Sequence, residues 1–382
     1  MAGPQKRILV IEDADEVRLM IQKQLGHLGY QTQGASNGVE GLEAVDASPP
    51  DLILCDLRMP KLDGLGVLGA LKVRHPTIPV VVVSGEGVLQ DAVEALRLGA
   101  WDYITKPIAG MAVLGHAVSK ALEKAALIRE NKLRAAQVEA LYAELKDDLD
   151  AGRRLQQGLL PTPGARFGSF TLSRMLVPSI ALSGDFLDAF SLGDDRWGFF
   201  LADVAGHGVP SALVTVMLRT LVQRKVADGR ARELSPARFL EALNSELLQQ
   251  GHEKHVAFFY GVVDERANTL HCANAGCFPW PLLVQGGAAQ RIDLPGMPLG
   301  LMPTASWDER TLPLQPDARI VAFTDGVLEV LPEKAIDDKQ ARLAELTAAA
   351  PSLEALIDSL GVAASKARLD DIAVLYLQRG RA

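Results

Sequence analysis

The sequence predicts an α/β doubly wound domain on a five-stranded parallel sheet, then a long helical linker, then an α+β layered β-sandwich domain. Three observations carry this prediction. Residues 7 to 122 alternate short apolar runs with amphipathic stretches, as strands and covering helices do in a parallel sheet. From 108 to 160 turn signals vanish and Ala, Leu, Glu, Lys and Arg dominate. Beyond Pro161 longer strand-like segments return with helical stretches between them. The expected boundaries are 1–122, 123–160 and 161–382.

In the first domain the strands are expected at 8–11, 31–36, 52–55, 80–84 and 103–105. Val17, Met20, Ile21 and Leu25 mark the first helix by their spacing, and residues 38–47 form the second. In the linker Ile128, Ala135, Val138, Tyr142, Leu145 and Leu149 step by seven, three and four. That stripe predicts a dimeric coiled coil, with two ordinary helices packed on a neighbouring domain as the alternative. Gly152 and Gly158 are possible interruptions, and Pro161 ends the linker. The last domain has expected strands at 170–177, 197–204, 258–263, 320–324 and 372–377, with helices at 209–226 and 236–250.

Composition excludes several classes. Of the 382 residues, 48% are hydrophobic and 23% charged, enough apolar material for sizeable cores and too much for disorder. The net charge of −8 gives no basic surface for DNA. Apolar runs such as 78–84 are too short to span a bilayer, and the opening Met-Ala-Gly-Pro-Gln-Lys lacks a signal-peptide core, so a cytoplasmic location is expected. Cys55, Cys272 and Cys277 lack disulfide or zinc spacing and read as packing thiols.

The polar side chains of the first domain fall where strands end: Glu12 and Asp13, Asp56, Ser84 and Lys106. Open parallel sheets bind ligands beyond the carboxyl ends of their strands, so these five can share one pocket. Three carboxylates there would repel one another unless a cation sat between them, and Mg²⁺ suits oxygen ligands and an incoming phosphate. A metal-neutralised aspartate beside a lysine is equipped to attack phosphorus, giving an acyl phosphate on Asp56.

The stretches Val10-Ile-Glu-Asp-Ala-Asp15, Asp56-Leu-Arg-Met-Pro-Lys-Leu-Asp-Gly64, Ser84-Gly85 and Tyr103-Ile-Thr-Lys-Pro107 resemble the receiver domain of two-component response regulators. The resemblance implies Asp56 as phosphoacceptor, with Glu12, Asp13 and the Arg58 carbonyl around Mg²⁺. It also implies Ser84 and Lys106 as phosphoryl contacts, Ser84 and Tyr103 as the switch pair, and a sensor histidine kinase or phosphotransfer protein as donor.

The last domain has four acidic motifs: Ser183-Gly-Asp185-Phe, Ala202-Asp203-Val204-Ala-Gly-His207-Gly, Thr324-Asp325-Gly and Leu369-Asp370-Asp371-Ile. Carboxylates without His or Cys partners favour Mg²⁺ or Mn²⁺ over zinc. A pair of such ions can activate a water and clamp a phosphate, which predicts a metal-dependent phosphatase.

These motifs, with Leu155-Gln-Gln-Gly-Leu-Leu-Pro161, Asn274-Ala-Gly276 and Pro298-Leu-Gly300, resemble the metal-dependent serine/threonine protein phosphatases that act on bacterial stress and sporulation sigma-factor regulators. The resemblance implies that Asp203 bridges two metals with the Val204 carbonyl on one, that Asp325 and Asp370 complete the other, and that Asp185 holds metal-bound water. Asp371 reads as a neighbour or as the alternative ligand, and His207 as a turn residue or a proton donor. Where that family has histidine and prolines after Asn-Ala-Gly, this chain has Cys277-Phe-Pro-Trp280. The expected function is a response regulator with phosphatase output on an anti-sigma-factor antagonist. The alternative is a resemblance to response-regulator adaptors that bind a general-stress sigma factor and deliver it for proteolysis. The expected assembly is a homodimer through the linker, away from DNA and membrane.

Overall fold

The computed structural model describes residues 5–85, 89–251, 253–362 and 370–380. The chain divides into a unit ending at Ala143 and one beginning at Glu144.

The first unit runs β1 (Arg7–Ile11), α1 (Asp15–His27), β2 (Gln31–Ala35), α2 (Gly38–Ala47), β3 (Leu52–Asp56), α3 (Gly64–Arg74), β4 (Val80–Ser84), α4 (Leu89–Leu98), β5 (Asp102–Thr105) and the start of α5 (Met111–Leu159). Its parallel five-stranded sheet has the order β2-β1-β3-β4-β5. β3 and β4 are wholly buried, as unbroken apolar runs require when helices cover both faces. Leu9, Ile11, Ile53 and Val82 pack toward one set of helices, and Ile8, Val10, Leu54 and Val83 toward the other. The helices begin where side chains cap them. Asn37 caps α2 by accepting from Glu40 N at 3.2 Å, and the Glu40 carboxyl, accepting from the Ser36 hydroxyl at 2.7 Å and from Ser36 N at 3.1 Å, is drawn down to about 2. Asp63 caps α3 through Gly66 N at 2.8 Å.

α5 is a single helix of 49 residues. It begins at Met111, so the expected linker is continuous with the last helix of the first domain, and neither Gly152 nor Gly158 interrupts it. Gly costs a helix interior only about 1 kcal/mol, and no proline intervenes before Pro161.

The second unit continues with β6 (Ala165–Phe167), β7 (Phe170–Val177), β8 (Asp185–Gly193), β9 (Arg196–Val204), α6 (Val209–Ala227), α7 (Arg230–Glu233), α8 (Pro236–Gln249), β10 (Val256–Asp264) and β11 (Thr269–Ala275). There follow β12 (Leu282–Gln285), β13 (Ala288–Arg291), β14 (Glu309–Pro313), β15 (Arg319–Phe323), a 3₁₀ turn (Asp325–Glu329), α9 (Ile336–Ala349), α10 (Leu353–Leu360) and β16 (Ile372–Arg379). One antiparallel sheet has the order β14-β11-β10-β9-β8, the other β13-β12-β15-β16-β7-β6. Alternation along the strands builds the layers. Phe200, Phe258 and Tyr260 turn toward α8, where Phe239 stacks on Tyr260 at 4.2 Å, while Phe199 and Phe259 turn the opposite way and meet at 6.0 Å. α9 and α10, which were not expected from the sequence, cover the second sheet through Leu343, Leu353 and Leu356 against Val321, Phe323 and Val374. The result is the layered sandwich that the pattern predicts. All three cysteines are free and buried, and among the described residues no helix is long and apolar enough to cross a membrane.

Candidate functional site

Two acidic sites form, one in each unit. In the first, β1 and β3 are neighbours at the centre of the sheet, so their carboxyl ends deliver Glu12, Asp13 and Asp56 to one place. Oxygens of these three carboxylates all lie within 4.8 Å of one another. Glu12 and Asp56 are buried and Asp13 is exposed, which leaves the cluster open on one side. Lys106 reaches in from the end of β5, its Nζ 2.9 Å from Asp56 Oδ2 and 2.7 Å from Glu12 Oε2. Burial raises the Glu12 pKa, with the nearby Asp56 charge adding to it and the Lys106 hydrogen bond opposing it. For Lys106 burial pulls downward, but hydrogen bonds to Glu12 and Asp56 outweigh it and the ammonium is held above its ordinary value.

Asp56 Oδ1 accepts from Leu57 N at 2.8 Å, so one oxygen is held by the backbone and the other by the lysine. Ser84 closes β4 and its carbonyl accepts from Lys106 N at 2.6 Å. The Arg58 side chain turns away to Asp91 at 3.1 Å, so that residue can serve the site through its backbone alone. Tyr103 lies on β5, half-exposed. Oxygen donors only, in a mutually repelling trio, fit Mg²⁺.

The second site lies where the two sheets of the sandwich end together. Asp203 is the penultimate residue of β9, Asp325 opens the 3₁₀ turn after β15, and Asp370 precedes β16. All three line one cavity of about 270 Å³, with Cys277, Phe278 and His255 on its other walls. This is a looser set than the first: among the described residues only the Glu12 group brings three such ligand atoms within 4.8 Å of one another. Asp185, buried and directly opposite Asp203 across the β8–β9 pair, does not line the cavity and accepts from Thr324 Oγ1 at 2.7 Å. Thr324 Oγ1 in turn accepts from Ala373 N at 2.8 Å, so this hydroxyl ties the first residue of β8 to β16.

Glycine is required twice. A Cβ on Gly184 would lie 2.9 Å from Val204 O, and one on Gly326 only 2.0 Å from Asp371 O. These close approaches bring the Asp185, Asp203, Asp325 and Asp370 segments together.

Asp371 is accounted for by the loop beside it. Its carboxylate accepts from Ser179 N at 2.6 Å, Ser179 Oγ at 2.8 Å, Ser183 Oγ at 3.0 Å and Gly184 N at 2.6 Å. With both oxygens occupied it shapes the Asp185 turn, and its neighbour Asp370 faces the cavity. Leu369 of the same motif lies outside the described residues. His207 is exposed and does not line the cavity. Cys277 is buried, its thiol pushed far up, first by burial and then by the Asp203 charge.

One residue was given no role in the sequence reading. Gln156, near the end of α5, is buried and grips Ser183 on both sides: its Oε1 accepts from Ser183 N at 3.1 Å and its Nε2 donates to Ser183 O at 2.7 Å. Ser183 Oγ then accepts from Asp185 N at 3.0 Å. The sole sequence signal is a glutamine in the run Leu155-Gln-Gln-Gly-Leu-Leu-Pro161, whose partner is 27 positions away.

The electrostatics of the second site favour a cation. Burial, followed by the charges of Asp325 and Asp370, pushes the Asp203 carboxyl up to about 7. Burial and Asp203 raise Asp185, and burial and Asp370 raise Asp325. Carboxylates that raise one another in this way offer hard oxygen ligands, which fit divalent Mg²⁺ or Mn²⁺.

A pH dependence follows. The folded pKa of Asp203 lies above its unfolded value of about 4, so its contribution is fully present below that value and is lost as pH rises through about 7. In calorimetry, metal-free protein is expected to lose second-domain stability between pH 5 and 8, and saturating Mg²⁺ to raise Tm more at pH 8 than at pH 5. Equal Mg²⁺ shifts at both pH values would show that the Asp203 cluster is not where the ion binds.

Comparison with known proteins agrees with both halves. Residues 8–118 match the response regulator receiver domain, and residues 193–380 match the Stage II sporulation protein E (SpoIIE) family. The chain is 26% identical over 278 residues to the Regulator of RpoS of Escherichia coli K12, covering 71% of this chain and 81% of that protein. It is 27% identical over 279 residues to Protein IcfG of Synechocystis, covering 64% of this chain and 44% of that one. Among solved structures, the RsbU and RsbW domains of a Mycobacterium tuberculosis protein align at 27% identity with a TM-score of 0.49, covering 58% of this chain and 62% of that one. The receiver domain of NtrX from Brucella abortus aligns at 36% identity with a TM-score of 0.30, covering 30% of this chain and 98% of that one.

Proposed function

We propose that this chain, a response-regulator receiver joined to a SpoIIE-type domain, is a phosphorylation-controlled protein serine/threonine phosphatase acting on a sigma-factor regulatory phosphoprotein. The observation that carries it is the meeting of Asp203, Asp325 and Asp370 at one cavity from both sheets, with Asp185 paired opposite Asp203 and held by Thr324. In this reading Asp203 would be shared by two ions, the Val204 carbonyl would serve one, and Asp325 and Asp370 would serve the other. Two bound Mg²⁺ or Mn²⁺ ions supply an activated water and a clamp on phosphate oxygens. Asp185, opposite Asp203, would orient water through its carboxylate. In the receiver, Asp56 accepts a phosphoryl group from a histidine kinase or phosphotransfer protein, with Glu12, Asp13 and the Arg58 carbonyl around Mg²⁺. Lys106 and Ser84 steady the phosphoryl oxygens, and Ser84 and Tyr103 respond to them.

Gln156 supports a route between the two activities, since the helix that leaves the receiver hydrogen-bonds the Ser183 turn. The test is Mn²⁺-dependent release of phosphate from a phosphorylated anti-sigma-factor antagonist, with and without phosphorylation of Asp56. A second reading is favoured by the similarity to the Regulator of RpoS: a non-catalytic adaptor that binds a sigma factor and delivers it for proteolysis.

Self-association through α5 belongs to the same proposal. Ile128, Val138, Tyr142 and Leu145 are 49%, 66%, 69% and 57% exposed on a heptad-spaced stripe, and a second copy of the helix would bury it. Ile128→Glu with Leu145→Glu is expected to turn dimers into monomers in light scattering. Unmutated protein that is monomeric at tens of micromolar, with or without phosphorylated Asp56, overturns the coiled coil.

A further inference from the structure

Building on the phosphatase reading, we propose that His255 is the phosphoryl-binding side chain of the Asp203 cavity, donating an imidazole N–H to an oxygen of a bound phosphate monoester. Strand register sets its place. β10 pairs with β9 so that Ala257 lies opposite Asp203 and Val256 opposite Val204, and the ladder extends one step further as Ala205 N donates to His255 O at 3.0 Å. Residues paired across a sheet share a face, and alternate residues return to it. His255 and Asp203 therefore stand on one face as diagonal neighbours, with about 7–8 Å between backbones. Both line the cavity. Val256 fixes the position from behind by exchanging hydrogen bonds with Leu299 at 3.0 and 2.8 Å. A cation held by Asp203 with one further oxygen ligand would extend roughly 4 Å, a reach that would set a phosphate oxygen near the ring.

Chemistry supplies the second observation. A phosphate monoester is a dianion, and three of the cavity's lining residues are aspartates. Among the described residues lining it, His255 is the only basic side chain. Its neighbour Lys254 is engaged elsewhere, with Nζ donating to Ala205 O at 2.7 Å and to Ser211 Oγ at 3.1 Å. Cys277, on another wall, directs its thiol to Leu201 O at 3.7 Å. The His255 side chain is exposed, so a substrate can reach it. An imidazole donates in either tautomer, so the contact does not require a particular pH.

The probe is inorganic phosphate, added to Mg²⁺-loaded full-length protein while histidine ring signals are followed by NMR, with His255→Ala used to assign the signal. The His255 signal is expected to move saturably while that of His207 stays in place. In Mn²⁺ assays with a phosphoserine peptide, His255→Ala is expected to raise both KM and the inhibition constant of phosphate about ten- to a hundredfold, as loss of a hydrogen bond to a charged group implies. His255→Gln keeps an N–H donor and should recover part of this. Asp203-dependent hydrolysis with unchanged KM and phosphate inhibition in His255→Ala overturns the inference and leaves the phosphatase reading intact. A shifting His255 signal without any Asp203-dependent hydrolysis upholds the phosphate contact and removes the phosphatase reading. A His255 signal that ignores saturating phosphate overturns the inference whatever the activity.

Discussion

Asp203→Ala is expected to lower metal-dependent release of phosphate from a phosphoserine antagonist by about 10³-fold or more, while the circular dichroism spectrum stays that of the folded protein. A loss of that size corresponds to about 4 kcal/mol of transition-state stabilisation, within what a metal site supplies. The reason lies in position. Asp203 lines the cavity together with Asp325 and Asp370, and burial followed by those two charges raises its pKa. Replacing it removes the ligand proposed to be shared by two ions, whereas Asp325→Ala or Asp370→Ala removes a ligand from one. Those two variants should regain activity at high Mn²⁺, and Asp203→Ala should not. His207→Ala should cost far less, since its side chain lies outside the cavity. If Asp203→Ala keeps full activity, the site is wrongly assigned. If instead no activity exists to lose, yet the variant still binds its sigma-factor partner and delivers it for proteolysis, the adaptor reading replaces the phosphatase.

Asp56→Asn should abolish labelling by acetyl phosphate in Mg²⁺, a complete loss because the attacking oxygen is gone. The lysine makes this specific. Lys106 Nζ sits 2.9 Å from Asp56 Oδ2, so the carboxylate is already paired with the cation that would steady the transferred phosphoryl oxygens. An asparagine there keeps the shape and the Leu57 hydrogen bond but cannot act as the nucleophile. Lys106→Ala should leave Glu12 buried without its cation partner, and labelling should slow markedly rather than disappear. Phosphate found on another residue of Asp56→Asn, at the wild-type rate, would remove Asp56 from its role.

Much of the first acidic cluster was legible because buried parallel strands are short apolar runs that end abruptly, and the residues at or just past those ends form the cluster. Glu12, Asp56, Ser84 and Lys106 could be placed on that ground alone. The second site was legible motif by motif, but not its internal division of labour. Asp370 and Asp371 are adjacent and chemically identical in the sequence. Only the fold shows that Ser179, Ser183 and Gly184 occupy one of them. Short polar strands such as β13 and β14 were missed because four or five residues like Ala-Ala-Gln-Arg carry no alternation that stands out from a loop. The start of α5 at Met111 falls inside the 108–160 stretch read as helical, because nothing there breaks a helix; what the sequence did not show is that the first domain's last helix and the linker are one. Gln156 and His255 stayed hidden for a different reason: each depends on a backbone neighbour that is distant in sequence.

The unbroken course of α5 makes linker length a matter of angle. Each residue in an α-helix advances the chain by 100°, so two extra residues turn everything beyond them by about 200°, while seven turn it by only about 20°. Where no hinge intervenes between Met111 and Leu159, such a turn is not absorbed along the way. Relatives or variants whose linkers differ by seven residues should behave alike, and those that differ by two should not, even though the shorter change adds less chain.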